Sequence, residues 1–260
     1  MIKPMSTLFI SDLHLSSDQP EITQLFLDFL HQQAREAEAL YILGDLFETW
    51  VGDDNLSPYN QMIISELADL TARGIATYFM PGNRDFLIGN RFIQQTGCHY
   101  LVDPTIINLY GNSTLLTHGD SWCTLDKHYL RYRRWSRYPF WQFLFLQLPL
   151  PWRQKIAKYL RGQEHSNTPI AMAKYDVVIS DLLAYLQHHP GTKQIIHGHT
   201  HLPSIQLIKS AESTWIRRFV LSDWHANRGN VLVALPNQTL TLMYFSQGND
   251  KILSNFSQKS

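Results

Sequence analysis

The chain has 260 residues, with 22 Lys and Arg against 22 Asp and Glu, so its formal net charge is zero. That length supports one large domain or two small ones, and 44% hydrophobic with 17% charged residues excludes a disordered chain and a coiled coil. The zero hides an uneven spread: residues 1–126 carry 16 acids and 5 bases, 127–174 carry 10 bases and one acid, and 175–260 carry 7 bases and 5 acids. Cys98 and Cys123 stand alone without C-x-x-C spacing. They frame no disulfide scaffold, and a reducing compartment is the expectation. Within Met1–Ile10 the strand-like apolar run spans only five residues before Asp12, too short for the apolar segment of a signal peptide. The most hydrophobic window, Trp141–Trp152, is broken by Pro149 and Pro151 and too short to span a bilayer. A soluble or surface-lying chain is therefore expected.

In chain order, Thr7–Ile10 reads as a strand and Glu21–Ala37 as an amphipathic helix, with Ile22, Leu25, Phe26, Phe29 and Leu30 on one face. Leu40–Leu43, Pro58–Arg73 and Ala76–Met80 continue as strand, helix and strand. Short apolar runs separated by 3.6-period segments predict βαβ units and a parallel sheet. Thr105–Leu109 and Thr114–Thr117, joined through Gly111-Asn112, read as a hairpin. From about Asp126 to His189 strand signals vanish and helices dominate, with breaks at Pro139, Pro149, Pro151 and Pro169. Strands return at Gln194–His197, Ile205–Lys209, Trp215–Leu221, Val231–Leu235 and Thr239–Phe245. The expected organisation is a core of residues 1–125 and 190–246, a helical insert at 126–189, and a polar tail at 247–260.

Each strand of the α/β core ends in a polar cluster. These are Asp12-Leu13-His14, Gly44-Asp45-Leu46-Phe47-Glu48, Gly82-Asn83-Arg84-Asp85, His118-Gly119-Asp120 and His197-Gly198-His199-Thr200-His201. In an open α/β sheet the carboxyl ends of the strands line one crevice, so the five segments should converge. Carboxylate, amide and imidazole donors without thiolate favour Mn²⁺, Fe²⁺, Zn²⁺ or Mg²⁺. Seven such ligands would be more than one tetrahedral ion needs. Two ions sharing a carboxylate, about 3.5–4 Å apart, are the economical reading. Singly, each segment is an ordinary turn; the ordered set is specific. Of the remaining histidines, His225 in Trp224-His225-Ala226-Asn227 is a reserve candidate to line the site.

The five clusters resemble those of the calcineurin-like metallophosphoesterases. Together with the words around them, with Gly52-Asp53-Asp54, Asp126 and Trp224-His225, they are similar to the UDP-2,3-diacylglucosamine diphosphatase family of bacterial lipid A synthesis. The resemblance runs through nearly the whole chain. It implies a four-layer α/β/β/α sandwich with a helical insertion acting as a cap, and a peripheral enzyme on the cytoplasmic face of the inner membrane. It implies two Mn²⁺ ions, other divalent ions being possible: one on Asp12, His14, Asp45 and His201, the other on Asp45 (bridging), Asn83, His118 and His199. Asn83, Arg84 and His118 are then the catalytic residues. Substrate contacts fall on Asn83, Arg84, Asp126, His199 and, from the insert, Gln163, Asn167 and Lys174. Lys174 stands one helical turn beyond Ile170, where the family carries a lysine. The implied reaction is attack of a metal-activated hydroxide on the α-phosphorus of UDP-2,3-diacylglucosamine, giving UMP and 2,3-diacylglucosamine 1-phosphate.

The insert has its own physical reading. Trp135, Phe140, Trp141, Phe143, Phe145 and Trp152, flanked by Arg131, Arg133, Arg134, Arg137, Arg153, Lys155 and Lys158, suit an anionic membrane surface or a lid with a groove for acyl chains. Its apolar density argues against nucleic acid. Two alternatives stand beside the lipid reading. One is a phosphodiesterase acting on a soluble nucleotide, which has no need of a basic, Trp-rich cap. The other is a non-catalytic scaffold, which would be expected to lack some of the seven ligands.

Overall fold

The computed structural model describes residues 5–161, 176–210, 213–246 and 251–252. Gln163, Asn167 and Lys174 lie outside the described residues.

The first half is built as the periodicity predicts. Strands β1 (Thr7–Ile10), β2 (Ala39–Leu43) and β3 (Ala76–Met80) alternate with helices α1 (Pro20–Gln32) and α2 (Pro58–Ala72). Both helices open on proline at the first helical position, where a missing N–H costs nothing. Ser57 caps α2 by accepting from Asn60 N. Expected as one helix to Ala37, α1 stops at Gln32 and gives way to a 3₁₀ turn, Ala34–Glu36. A further helix, α3 (Asn90–Thr96), and a two-residue strand, β4 (His99–Tyr100), follow. The α3 cap comes from a distant residue: Asp53 accepts from Gly89 N and Phe92 N.

The strands form two sheets. β1 to β4 pair in parallel, but β10 (Gly229–Ala234) runs antiparallel beside β1, followed by β11 (Leu240–Phe245) and β12 (Lys251–Ile252). The second sheet has the order β5 (Thr105–Leu109), β6 (Asn112–Thr117), β7 (Gln194–His197), β9 (Trp215–Val220), β8 (Ser204–Lys209). β6, β7 and β9 are parallel within it, and β5–β6 is the expected hairpin.

Phe9, Leu43, Met80, Leu116, Ile196 and Phe219 fill the space between the sheets. Helices α1 to α3 cover the outer face of the first sheet, with Phe26, Phe29, Leu67 and Phe92 fully buried. Helix α7 (Ile179–Leu186) covers the second sheet through Leu182 and Leu186. The result is the expected four-layer α/β/β/α sandwich.

Between β6 and α7 run α4 (Lys127–Ser136), α5 (Pro139–Leu146) and α6 (Leu150–Arg161). Asp126 caps α4 by accepting from Tyr129 N at 2.9 Å. Three of the bases expected to face outward turn inward instead. Arg133 and Arg137 reach the buried Asp120 at 2.8 and 3.0 Å, and Arg133 also reaches Asp103 at 3.1 Å. Arg153, 2% exposed, pairs with Asp54 and donates to the carbonyls of Val51 and Leu148. A guanidinium carries five donors in a planar fork, so burial is tolerable where carboxylates and carbonyls meet it.

Candidate metal centre

The ends of β1, β2, β3, β6 and β7 meet at one edge of the sandwich. Asp12 N donates to Gly44 O and His14 N to Asp45 O, while Gly198 N donates to His118 O, so the loops are stitched together by their backbones. Asp85 ties two more: it accepts from Leu46 N at 2.8 Å and Gly82 N at 2.7 Å. Burial and the charge of Asp45 push the Asp85 carboxyl up to about 7.

Five candidate ligands, Asp12, His14, Asp45, His199 and His201, hold φ between 51° and 68°, the left-handed region that non-glycine residues avoid. Strain of this kind persists only where surrounding structure imposes it, and it clusters at functional sites. Here it turns side chains inward. Asp12, His14 and His201 bring donor atoms within 4.8 Å of one another, as do Asp45, His118 and His199. Asp45 lies between the groups, its Oδ2 4.0 Å from His14 Nε2 and 3.7 Å from His118 Nε2. Asn83 Oδ1 sits 2.9 Å from His118 Nε2. All seven expected ligands are thus gathered in one place.

The donor set fits divalent cations. Asp12 and Asp45 are 0% and 2% exposed, and buried carboxylates need positive charge nearby. Burial alone would raise Asp12, but contact with His201 and the charges of His201, His118 and His14 outweigh it and hold the acid far below the usual carboxylate range. The same field acts on the imidazoles. Against burial, Asp45, Asp12 and Asp120 lift His118 to about 9. His14 also rises against burial, chiefly through Glu48. Burial and the charge of His118 drop His199 to about 4. Room for the carboxylates is made by glycine: a Cβ on Gly82 would collide with Asp45, and one on Gly198 with Asp12.

The other expected residues are placed as follows. Arg84 N donates to Asp45 Oδ1 at 2.8 Å, fixing the backbone beside the second group. Arg84 lines a cavity of about 740 Å³ whose other walls include Trp50, Leu87, Trp135, Phe145 and Ile156. Asn83 lines the same cavity, so a largely apolar groove between the core and α4–α6 opens onto the metal centre. Asp126 stands at the start of α4 as its cap. His197 faces away from the ligands and accepts from Arg218 Nε at 2.9 Å, its pKa lowered to about 3 by burial and that charge. His225 approaches Asp223, not the ligand groups.

Asp120 stands in the fourth strand-end cluster without an expected role, and the structure gives it one. Tyr129, Arg133 and Arg137 all donate to Asp120 Oδ2, and Arg137 Nη2 also donates to Gly82 O at 2.9 Å. Helix α4 is thereby fastened to the residues beside His118 and Asn83. The spacing Tyr129, Arg133, Arg137, every fourth residue, is a helical stripe and was the available signal.

Comparison with known proteins agrees with this geometry. The chain is 46% identical over 242 residues to the UDP-2,3-diacylglucosamine hydrolase of Pectobacterium carotovorum subsp. carotovorum, covering 93% of this chain and 99% of that one. It is 45% identical over 234 residues to the protein of the same name from Photobacterium profundum, covering 90% and 94%. Among solved structures, a novel archaeal phosphodiesterase overlaps 96% of this chain and 100% of that one, at a TM-score of 0.45 and 12% identity, too distant to bear on the site. The model of the calcineurin-like phosphoesterases matches residues 5–203. On that match, and on a strand-end cluster of carboxylates and imidazoles at the head of the two-sheet sandwich, the chain belongs to the calcineurin-like phosphoesterase family.

Proposed function

We propose that the protein hydrolyses the pyrophosphate bond of UDP-2,3-diacylglucosamine, releasing UMP and 2,3-diacylglucosamine 1-phosphate in lipid A synthesis. The observation that carries this reading is the apolar groove ending at Asn83 and Arg84. It joins a phosphate-handling centre to a space suited to acyl chains, as a diacylated sugar nucleotide requires. A soluble nucleotide would leave that groove unused. The names borne by relatives 45–46% identical over nine-tenths of the chain support the same substrate.

Asp12, His14, Asp45 and His201 would hold one divalent ion, and Asp45, Asn83, His118 and His199 the other, Mn²⁺ in both positions. When bound, such ions supply an acidified water near neutral pH and offset phosphate charge. The chain supplies the rest. Arg84 presents a planar fork of donors to the oxygens of the reacting phosphoryl group, and Asn83 donates from its amide. The bond from the Arg84 backbone N–H to the Asp45 carboxylate holds that turn against the metal centre. Water adds to the α-phosphorus, and the bond from that phosphorus to the bridging oxygen breaks, the oxygen leaving with the lipid phosphate. Asp126, Gln163, Asn167 and Lys174 are assigned to the substrate's polar parts, and residues 126–189 act as the cap over the 1–125 and 190–246 core.

The cap also gives the membrane contact. Trp135, Phe140, Phe143 and Trp152 are 53–66% exposed, beside the outward Arg131, Arg134, Lys155 and Lys158. Among the described residues no helix is long and apolar enough to cross a membrane. The reading is therefore a peripheral enzyme on the cytoplasmic face of the inner membrane.

The test is turnover of UDP-2,3-diacylglucosamine by purified protein with Mn²⁺, with UMP as the measured product. In H₂¹⁸O the label should enter UMP and not the lipid phosphate. Absence of UMP, alongside hydrolysis of a soluble dinucleotide, would replace this substrate with the soluble one.

A further inference from the structure

Two carboxylates outside the ligand set face the outer nitrogens of the two histidines in the Asp12 group. His14 turns Nε2 inward, 3.4 Å from His201 Nε2, and its Nδ1 lies 3.0 Å from Glu48 Oε2. His201 repeats the arrangement: Nε2 is 3.5 Å from Asp12 Oδ1, and Nδ1 is 3.5 Å from Asp223 Oδ2. The second group differs, since His118 Nδ1 sits 2.9 Å from the backbone carbonyl of Leu43. One group is thus backed by two carboxylates, whereas His118 of the other is backed by a neutral carbonyl.

Neither carboxylate is there by free rotation of a surface chain alone. Glu48 N donates to Leu15 O, Leu15 N donates to Leu46 O, and Leu15 and Phe47 form a parallel bridge, so the backbones bearing His14 and Glu48 are locked side by side. Asp223 is held at both ends: Trp224 N donates to Asp12 O, and Ser222 Oγ donates to Asp223 Oδ1 at 2.9 Å. That bond leaves Oδ2 to His201 and to His225, whose Nε2 is 3.5 Å away. His225 therefore supports Asp223.

We infer that Glu48 and Asp223 are positioning residues that orient His14 and His201 to hold a divalent cation. A carboxylate beside Nδ1 favours the tautomer with its proton there, which leaves Nε2 bare for the ion. It also adds negative charge behind the ligand and raises its basicity. The Asp12, His14 and His201 group is then the one whose cation affinity depends on outer carboxylates. Glu48 has a second role in view, because its Oε1 lies 4.0 Å from Arg84 Nη1; one side chain spans a metal ligand and the proposed phosphate-binding arginine.

This inference rests on the reading of Asp12, His14 and His201 as metal ligands, and the experiment separates the two. Metal-free full-length protein is titrated with Mn²⁺, following free Mn²⁺ by electron paramagnetic resonance and the melting temperature with and without the ion. In Glu48→Ala and Asp223→Ala, one class of bound Mn²⁺ should weaken by about 10–100-fold, the effect of losing an outer-shell partner, while the other class holds. Glu48→Gln and Asp223→Asn keep an acceptor oxygen near Nδ1 and should recover much of the loss. The metal-free melting temperature should be unchanged, and only the Mn²⁺-induced rise should shrink. Unchanged affinity for both classes overturns the inference. So does a fall in metal-free melting temperature with affinity intact, which would make the carboxylates packing elements. If wild-type protein takes up no Mn²⁺, or if Asp12→Asn takes up as much as wild type, the ligand reading itself fails.

Discussion

The metal centre is assembled by residues in conformations that their side chains disfavour. A left-handed backbone costs an L-residue roughly 1–2 kcal/mol, and Asp12, His14, Asp45, His199 and His201 all adopt it. Neighbouring glycines then let the loops close on one another. Gly198 illustrates this, since a Cβ there would drive into the Asp12 carboxylate and the Ser11 hydroxyl. Gly198→Ala should therefore displace Asp12, cut Mn²⁺ uptake by the Asp12 group and destabilise the protein by about 1–3 kcal/mol, the usual cost of overpacking. Gly191→Ala is the comparison. Its φ of +88° makes it strained, but a Cβ there meets nothing within 4 Å, so stability should fall while Mn²⁺ uptake stays the same. Titration of both variants with Mn²⁺ checks the pair, and equal metal loss in the two would remove the steric account. The convergence of all seven candidate ligands was legible in the sequence because each sits at a strand end with a turn residue beside it. Glu48 and Asp223 were not, because a carboxylate behind a histidine has no fixed spacing in the chain: 34 positions separate His14 from Glu48, and 22 separate His201 from Asp223.

At the scale of elements, α4 and α6 are bolted to the core by arginines. The sequence shows a run of bases but not which way each turns, since the same residue type serves a lipid phosphate and a buried carboxylate equally well. Arg133, Arg137 and Arg153 went inward because Asp103, Asp120 and Asp54 wait on distant loops. Helix α3 escaped the sequence reading for a related reason: its seven residues are capped by Asp53, 36 positions before Gly89. The Arg153 clasp yields an asymmetric prediction. Asp54 has a side chain 55% exposed, whereas that of Arg153 is 2% exposed. Asp54→Ala strands a buried guanidinium on two carbonyls and should cost about 1.5–3 kcal/mol, the worth of hydrogen bonds to a charged group. Val51 and Trp50 line the groove opposite Ile156, one turn beyond Arg153, so loosening the clasp should also raise KM for the diacylated substrate more than it lowers kcat. Equal loss in kcat and KM for acylated and soluble substrates would place the clasp in folding alone. Thermal melts and steady-state kinetics on both substrates decide it.

For the whole molecule, net neutrality is the sum of an acidic core and a basic cap, and the structure changes what each contributes. Asp12, Asp45, Asp85, Asp103 and Asp120 are buried or nearly so, so five of the 16 acids in residues 1–126 do not face solvent. Arg133, Arg137 and Arg153 are likewise consumed inside. What remains for an outside partner, among the described residues, is a smaller set: Arg131, Arg134, Lys155 and Lys158 around exposed Trp135, Phe140, Phe143 and Trp152. An amphipathic surface of this kind binds a bilayer by apolar insertion plus attraction to anionic headgroups, each base near the surface contributing about 1 kcal/mol. Vesicles containing anionic lipid should sediment the protein at low salt, and salt that shortens the Debye length should release part of it. Lys155→Glu with Lys158→Glu should weaken binding to anionic vesicles by at least about ten-fold, since two positive charges are replaced by two negative ones, with little effect on neutral vesicles. Phe143→Ser with Trp152→Ser should weaken binding to both. Equal sedimentation of wild type with neutral and anionic vesicles would remove the electrostatic half of the contact and leave only the aromatic half.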